Sequence, residues 1–337
     1  MRKATDELFT YFECTECGAL QMECVPENLG SYYEEESTLY ETMLHMKAEA
    51  EGAEVAVSDV LPRQSALRGA LRRAGRKFAA SDGIGARVLG AFYTAPAFHA
   101  WFARAGVTKE SMILDVGCSV GEQLAEISEQ GYYNASGIDA FIARDIKYDN
   151  GLVIRKGTLA DVAGTEQFDL VMMNHSLEHA PDPVTVFAEL GRLVTRAGTV
   201  LLRVPIVASQ AWEEYSTDWV QLDCPRHLFL YTEKAIALLA KEAGLKVDFV
   251  EYDSWELQFY GSELLRQGIL IGGHDGFLED SGKETLGKET FGKGQMEKWR
   301  ARAEELNRQG RGDMATFYLK VDAGSNGSKD SKDENEG

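Results

Sequence analysis

The sequence lacks any apolar run long enough to cross a membrane, and it is short of basic residues. No segment approaches the roughly 18 consecutive apolar residues of a membrane-spanning helix, and residues 1–7 lack the apolar stretch of a secretory signal. The 337 residues carry 35 Lys and Arg against 54 Asp and Glu, a net charge of −19. Binding to nucleic acid or anionic lipid depends on basic side chains that neutralise phosphates. We therefore expect a cytoplasmic protein with no nucleic-acid partner and no integral membrane association.

Cysteine is also scarce, and its pattern does not indicate a disulfide framework. The five cysteines are odd in number and scattered, which fits a reducing compartment. Cys14 and Cys17 form a C-x-x-C turn that can hold two corners of a tetrahedral zinc site. Zinc takes four ligands, and the further candidates, Cys24 and the remote His45, have no spacing that defines a closed set. Residues 1–33 are thus interpreted as half of a zinc knuckle, and zinc is left open as a cofactor.

The rest of the chain divides by its hydrophobic pattern. Residues 34–108 are helix-rich and include a basic amphipathic helix, so we interpret them as a helical arm. From 109 to 323, short apolar strands alternate with amphipathic helices, which is typical of an open, mostly parallel α/β sheet. An aromatic, helical cap at 253–313 interrupts this alternation before the last strand. The polar segment 324–337 lacks the apolar residues of a packed core, and we expect it to be disordered.

A glycine loop follows the first predicted strand of this sheet. It reads Asp115-Val116-Gly117-Cys118-Ser119-Val120-Gly121. The two glycines let the backbone approach a ligand at the start of the next helix. Their spacing is G-x-x-x-G, whereas dinucleotides bind to G-x-G-x-x-G, so nicotinamide and flavin cofactors are disfavoured. The acid that precedes the loop would repel a phosphate and attract a cation.

A second acid completes the pattern of a ribose-bearing, cationic ligand. Asp139 ends the second predicted strand, where a carboxylate can bind both hydroxyls of a ribose. S-adenosylmethionine combines a ribose with positive sulfonium and ammonium groups and has no phosphate. At this point the sequence resembles the class I methyltransferases, with Asp115, Gly117 and Gly121 in the first motif and Asp139 in the second.

Further segments extend this resemblance to about residues 112–252 and the strand near Tyr318. The fourth predicted strand and the segment after it are similar to the signature "fD-hydrophobic…lEHxxdP" of one subgroup, and a later segment resembles bacterial enzymes that methylate sugars and glycan precursors. These segments are Phe168-Asp169-Leu170-Val171, Leu177-Glu178-His179, Asp182-Pro183, Ala197-Gly198, Pro225-Arg226-His227-Leu228 and Tyr231-Thr232. The resemblance implies a Rossmann-like, seven-stranded, mostly parallel sheet whose last strand is antiparallel.

The resemblance also implies where the cofactor binds. The expected residues belong to the glycine loop and to the segments that follow the second, third and fourth strands. They are Asp115, Gly117, Cys118, Ser119, Gly121, Asp139, Thr158, Leu159, Asn174 and His175.

Methyl transfer to a hydroxyl needs a group that accepts the hydroxyl proton. His227 is the first candidate, because it lies beside Arg226 in the segment expected to face the acceptor. His179 is the second, since Glu178 could orient it. Either histidine could instead be a structural residue held by hydrogen bonds.

Aromatic and basic side chains near these histidines suit a sugar acceptor. The indoles of Trp212, Trp219 and Trp255 could stack on sugar faces or belong to the core of a helical cap. Arg226 could bind a nucleotide diphosphate.

We therefore expect an S-adenosylmethionine-dependent methyltransferase that methylates a hydroxyl of a sugar or glycan precursor. The acceptor is a small molecule or a glycan, and whether it is nucleotide-linked is left open, as is the oligomeric state. One alternative is a small-molecule O-methyltransferase of the quinone-biosynthesis kind. Another is a module that binds the cofactor without catalysis.

Overall fold

The computed structural model describes residues 7–32, 96–269, 287 and 289–323. Most of the predicted helical arm, including its basic amphipathic helix and His45, lies outside the described residues, as does the predicted disordered tail at 324–337.

Eleven strands and seven α-helices are used below to describe these parts of the chain. The strands are β1 (Tyr11–Glu13), β2 (Leu20–Met22), β3 (Ile113–Val116), β4 (Ala135–Asp139), β5 (Ile146–Lys147), β6 (Val153–Lys156), β7 (Phe168–Asn174), β8 (Val194–Pro205), β9 (Phe229–Leu230), β10 (Leu245–Tyr252) and β11 (Met314–Val321). The helices are α1 (Phe98–Ala105), α2 (Glu122–Glu129), α3 (Pro183–Leu193), α4 (Gln210–Tyr215), α5 (Glu233–Glu242), α6 (Leu257–Arg266) and α7 (Lys293–Arg308).

A central sheet of eight strands organises the described chain, in the order β10-β11-β8-β7-β3-β4-β6-β5. The neighbours from β8 to β6 pair in parallel. The last strand, β11, is antiparallel to both β8 and β10. The predicted Rossmann-like, mostly parallel α/β fold with an antiparallel last strand is therefore confirmed.

The predicted number of seven strands is wrong by one. The eighth strand, β5, has only two residues and pairs antiparallel with β6 at the edge of the sheet. Two residues are too few to produce an alternating hydrophobic pattern, so β5 has no periodic signal in the sequence.

Helices cover both faces of the sheet, which explains why its inner strands are apolar throughout. All four residues of β3 are buried. On one face, Phe98 and Phe102 of α1 and Leu124 of α2 belong to one core cluster. On the other face, α3 and α5 contribute Phe187 and Ile236 to a second cluster. Asp182 and Thr232 accept backbone N–H groups at the starts of these two helices, as capping residues do.

The connections after β8 and β10 carry a helical layer. Helix α4 follows β8, whereas α6 and α7 lie between β10 and β11. Their apolar side chains pack around Trp219 and Phe259, and Leu20 of β2 and Leu230 of β9 join the same cluster. The hairpin of β1 and β2 pairs through β2 with β9, so it shares a core with the helical layer. No helix in the described ranges is long and apolar enough to cross a membrane.

Candidate active site

The carboxyl ends of the parallel strands meet at one edge of the sheet, where ligands of open α/β sheets bind. Two neighbouring regions lie there. We call the loop after β3 together with Asp139 the cofactor edge. We call His175, Glu178, His179 and His227 the histidine cluster.

The loop of the cofactor edge has a backbone that favours glycine. Gly117 and Gly121 have φ values of 76° and 83°, in the left-handed region, and Ser119 between them has a φ of 50°. A Cβ on Gly117 would lie 2.4 Å from the Cβ of Ser176, and one on Gly121 would lie 2.7 Å from Cδ1 of Ile154. The loop therefore lies against its neighbours with no room for a side chain at either glycine.

Asp139 holds this loop in place. Its Oδ2 accepts the backbone N–H of Ser119 at 2.8 Å, and its Oδ1 accepts that of Phe141 at 2.7 Å. An ionised carboxylate has about four lone pairs, so acceptor capacity remains for two ribose hydroxyls. The structure thus places Asp139 beside the glycine loop, and its binding of a ribose stays a prediction.

Asp115 is the second buried acid at this edge. Burial raises the pKa of its carboxyl to about 7, and the negative charge of Asp139 adds to the effect. A cationic ligand bound here would favour the ionised form of Asp115. The arrangement is suited to a positively charged group.

The other predicted cofactor residues lie at the ends of the neighbouring strands or in the glycine loop. Asn174 ends β7 with its side chain buried, and neither its amide oxygen nor its amide nitrogen has a hydrogen-bond partner in the described structure. Thr158 is exposed and donates to Asp161, and Leu159 is buried. Cys118 is half-buried, and a Cβ on Gly137 would lie 2.3 Å from its Sγ. Asn174 thus has polar groups that a ligand could satisfy.

The histidine cluster begins one residue after Asn174. His175 has a φ of 54°, and Arg203 donates from Nη1 to its Nε2. Arg203 also donates from Nε to Oδ2 of Asp253 at 2.6 Å. Since Nε2 of His175 accepts, its Nδ1 carries the hydrogen, and Nδ1 lies 3.4 Å from Oε1 of Glu178. A chain of polar groups therefore runs from Asp253 to Glu178.

Glu178 is the centre of the cluster. Its side chain is fully buried, and its Oε1 lies 4.0 Å from Nε2 of His227. Burial opposes its ionisation, but the three neighbouring histidines outweigh this effect and lower the pKa of Glu178. Glu178 is therefore an anion at neutral pH.

The two candidate bases are neighbours. The rings of His179 and His227 are 4.8 Å apart between centroids. Nδ1 of His179 hydrogen bonds to the carbonyl oxygen of Arg226 at 2.9 Å, and Nδ1 of His227 to that of Gln221 at 2.6 Å. A carbonyl oxygen only accepts, so both rings donate their hydrogen from Nδ1. Burial lowers the pKa of His227 to about 4, which leaves this ring neutral at pH 7.

Backbone hydrogen bonds hold the segment that contains His227 from two sides. Leu228 donates to the carbonyl oxygen of Glu178 at 2.8 Å on one side. On the other side, Tyr11 donates its hydroxyl hydrogen to the carbonyl oxygen of His227 at 2.7 Å, and Met22 N–H donates to that of Leu228 at 2.9 Å. The N-terminal hairpin thus lies directly against the histidine cluster.

The predicted acceptor-binding residues differ in their surroundings. Trp219 is fully enclosed, and its Nε1 donates to Asp313 at 2.9 Å. The prediction that it stacks on a sugar does not fit the structure, because an enclosed ring has no face for a ligand. Trp212 and Trp255 are half-buried and retain some accessible surface. Arg226 is buried and paired with Asp223 at 2.6 Å, so it would bind a diphosphate only if this pair opened.

Cys14 and Cys17 form the predicted turn but not a zinc site. The backbone N–H groups of Cys17 and Glu16 lower the pKa of the Cys14 thiol, as expected in a C-x-x-C turn. Within the described ranges, no third metal-binding side chain joins the pair, and Cys24 is exposed. Two ligands cannot hold zinc, so the structure does not support this cofactor at the hairpin.

Several residues of the site have no short-range signal in the sequence. Arg203 reaches the histidine cluster from strand β8, and Tyr11 reaches it from the hairpin. Asp253, which follows β10, is linked to the cluster through Arg203. Two links in the cluster have a local spacing that could have revealed them: His175 and Glu178 are three residues apart, and Asp223 and His227 are four residues apart.

Comparisons with known proteins identify the family of the central part of the chain. Residues 101–249 match a family described as "Methyltransferase domain". A segment is 35% identical over 108 residues to the ubiquinone biosynthesis O-methyltransferase of Pseudomonas aeruginosa (strain UCBPP-PA14), and this match covers 29% of the chain and 46% of that relative. The chain thus spans about half the length of the curated relative that it matches.

Solved structures of low similarity are also methyltransferases. A candidate sarcosine dimethylglycine methyltransferase of Galdieria sulphuraria has a TM-score of 0.42 at 16% identity, covering 82% of this chain and 98% of that one. Magnesium protoporphyrin IX methyltransferase of Synechocystis PCC 6803 has a TM-score of 0.37 at 15% identity, covering 56% and 82%. Both scores are low, so the assignment depends on the family match.

Residues 101–249 are thus a methyltransferase domain of the S-adenosylmethionine-dependent class. The predicted methyltransferase class and its cofactor are confirmed, whereas the predicted domain bounds of 109–323 stay a prediction. The resemblance to glycan-modifying enzymes stays a prediction.

Proposed function

We propose that this protein uses S-adenosylmethionine to methylate a hydroxyl group of a sugar or glycan precursor. The observation that carries the proposal is the direct contact between the cofactor edge and the histidine cluster. Gly117 lies against Ser176, whose hydroxyl donates to the carbonyl oxygen of Val116 at 2.7 Å. Ser176 follows His175 directly in sequence. The contact of Ser176 with the glycine loop therefore places the histidine cluster next to the cofactor edge.

The cofactor supplies an electrophilic methyl group on a sulfonium. Asp115 and Asp139 favour its positive charge and its ribose, and the glycine loop allows its close approach. In the reaction a bond forms between the acceptor oxygen and the methyl carbon as the carbon–sulfur bond breaks. The chain's main task is to align the reacting atoms and exclude water.

His227 is the group that we propose to accept the hydroxyl proton. Its Nε2 has the lone pair, because Nδ1 is bonded to the carbonyl oxygen of Gln221. The carboxylates of Glu178 and Asp223, at 4.0 Å and 3.7 Å from Nε2, would stabilise the imidazolium that forms. His179 is the second candidate, because its ring packs against that of His227.

A phenol of the quinone-biosynthesis kind is the second candidate acceptor. The match to the Pseudomonas relative supports it. The polar surroundings of the site favour a sugar instead, since Asp223, Arg226 and the histidines lie where a lipid-soluble phenol would need an apolar pocket. A module that binds the cofactor without catalysis is the third reading, and the bases held beside the cofactor edge favour an enzyme over it.

The acceptor class can be tested with a panel of nucleotide sugars, free sugars and phenols, incubated with S-adenosylmethionine and the full chain. We expect turnover of at least one sugar and formation of S-adenosylhomocysteine. Turnover of phenols alone would favour the second candidate. Binding of the cofactor by calorimetry, with no turnover of any acceptor, would favour the non-catalytic module.

The base can be tested by substituting each histidine separately. We expect His227→Ala to reduce kcat by about 100-fold or more, with cofactor affinity unchanged, and His179→Ala to have a smaller effect. His99→Gln, on helix α1, is the matched control. Full activity of both the His227 and the His179 variants would contradict a histidine base.

We also propose that the protein acts in the cytoplasm on a small molecule or glycan rather than on nucleic acid. The excess of 54 acidic over 35 basic residues supports an acceptor other than nucleic acid. The five scattered cysteines support a reducing compartment such as the cytoplasm.

A further inference from the structure

Three side chains in the histidine cluster have the arrangement of metal ligands. One carboxylate oxygen of Glu178 and one ring nitrogen from each of His179 and His227 lie within 4.8 Å of one another. No other group of three such side chains is found in the part of the chain that the structure describes. The predicted zinc turn at Cys14 and Cys17 is not part of this group.

The carboxylate of Glu178 is placed to receive a cation. Its side chain is 0% exposed, and its Oε2 has no hydrogen-bond partner in the described structure. His175 Nδ1, at 3.4 Å, approaches Oε1 from one side. Burying a carboxylate without hydrogen bonds is costly, and buried charges are normally paired or bound to metal ions.

Both histidines are oriented as metal-binding histidines usually are. Each donates from Nδ1 to a backbone carbonyl oxygen, of Arg226 for His179 and of Gln221 for His227. Such a bond fixes the orientation of the ring and makes Nε2 the nitrogen that would bind the ion. Glu178 is oriented in turn by the chain from Asp253 through Arg203 and His175.

The chemical type of the three ligand atoms indicates which class of metal ion would bind. Two imidazoles and one carboxylate suit first-row transition ions, zinc among them, whereas magnesium prefers oxygen ligands. In a tetrahedral zinc site the ligand atoms are about 3.4 Å apart. The separation of 4.0 Å between Oε1 of Glu178 and Nε2 of His227 is close to this value. Small side-chain rotations would complete three corners and leave the fourth open.

We propose that Glu178, His179 and His227 bind one divalent first-row transition ion, and that the bound ion inhibits methyl transfer. Inhibition follows because the ion would occupy the Nε2 lone pair of His227, which is then no longer able to accept a proton. The binding half of this inference is independent of the proposed function. The inhibition half rests on it.

Binding is tested on the full chain after treatment with a chelator, by titration with Zn²⁺ or Co²⁺ and, separately, with Mg²⁺. We expect one Zn²⁺ or Co²⁺ per chain and no measurable binding of Mg²⁺. The visible spectrum of the Co²⁺ form should show a low-coordinate site without the near-ultraviolet charge-transfer band of a thiolate ligand. No binding of Zn²⁺ or Co²⁺, or a thiolate band at one ion per chain, would overturn the proposal.

Variants separate the cluster from the cysteine turn. We expect Glu178→Gln to weaken Zn²⁺ binding at least tenfold, because it replaces the anionic ligand with an amide of the same size. Cys14→Ser combined with Cys17→Ser, and His99→Gln, should leave the affinity unchanged. If Glu178→Gln does not fold, His179→Gln replaces it, with thermal melting to establish folding. Unchanged affinity in the folded variant would overturn the site.

Inhibition is tested with an acceptor that the panel has identified. Zn²⁺ should reduce kcat in proportion to its occupancy, a chelator should restore the rate, and cofactor affinity should not change. A rate that rises with occupancy would overturn the inhibition half. If no acceptor is turned over, the proposed function fails, while the binding titrations still decide the metal site.

Discussion

The cofactor edge and the histidine cluster lie side by side but are constructed differently. The cofactor edge consists mainly of backbone: a loop with positive φ at Gly117 and Gly121, shaped by N–H bonds to Asp139. The histidine cluster consists of side chains, with Glu178 and His227 at 0% and 5% exposure. The first depends on a short stretch of chain, whereas the second depends on segments that fold together from far apart. Substitutions should therefore affect the two regions by different routes.

The largest expected effect belongs to the core that supports the histidine cluster. Trp219→Ala removes a fully enclosed indole and leaves Asp313 without that donor, and we expect a loss of about 3–5 kcal/mol in the free energy of unfolding. Cofactor affinity of the folded fraction should stay within about twofold. Urea denaturation and calorimetry check the two values, with Trp255→Ala as the half-buried control. A large loss of cofactor affinity with little loss of stability would contradict the view that the core around Trp219 is independent of the cofactor edge.

Gly117→Ala should reduce cofactor affinity more than it reduces the stability of the fold. The new Cβ would be held at a φ of 76° and placed 2.4 Å from the Cβ of Ser176. We expect strain of about 1–3 kcal/mol, expressed as a loss of cofactor affinity of roughly 10- to 100-fold as the loop moves. Gly106→Ala is the matched control, because Gly106 has a φ of 74° but nothing within 4 Å of its Cβ position. Equal cofactor affinities in the two variants would show that the close approach to Ser176 does not matter.

Asp115→Asn should change affinity and stability in opposite directions. Asp115 has a folded pKa of about 7, above its ordinary value of 3.8. Its contribution to stability is therefore full below pH 3.8 and is lost as the pH rises to about 7. We expect the cofactor-free variant to be the more stable protein above pH 7, and to bind the cofactor about tenfold more weakly.

The wild type supplies the second test of Asp115. Its cofactor affinity should increase from pH 5 to about 7, as the carboxyl ionises, whereas that of the variant should not. Calorimetry at several pH values checks this. If cofactor affinity changed with pH in the same way in both proteins, the ionised carboxylate of Asp115 would not contribute to cofactor binding.

The smallest expected effect is that of Tyr11→Phe. It removes one hydrogen bond to the carbonyl oxygen of His227, and we expect a loss of about 0.5–1.5 kcal/mol in the free energy of unfolding. The KM for the acceptor should increase while cofactor affinity stays constant. Tyr32→Phe is the control, because the Tyr32 hydroxyl bonds to Glu7 on the exposed surface. A change in cofactor affinity with no change in the KM for the acceptor would show that the hairpin supports the cofactor edge and not the histidine cluster.

The same difference explains which features could be predicted from the sequence. The strands and the glycine loop depend on neighbours within a few residues, where hydrophobic period and residue type carry the signal. The two-residue strand β5 is too short to have a period. The pairing of the hairpin with β9 and the enclosure of Trp219 depend on contacts between remote segments. Nothing in the local pattern of those segments distinguishes a buried indole from an exposed one.

The hairpin has a consequence for the order in which the chain assembles during synthesis. Tyr11 and its partner His227 are 216 residues apart. At the usual rate of about 5–20 residues per second, a ribosome needs about 10–40 s to make the intervening chain. The hairpin must therefore wait, with Leu20 and Met22 exposed, until β9 has left the ribosome. A newly made chain can form its cofactor loop before the hairpin pairs with β9, and the hairpin contacts His227 only after Leu230 has been made.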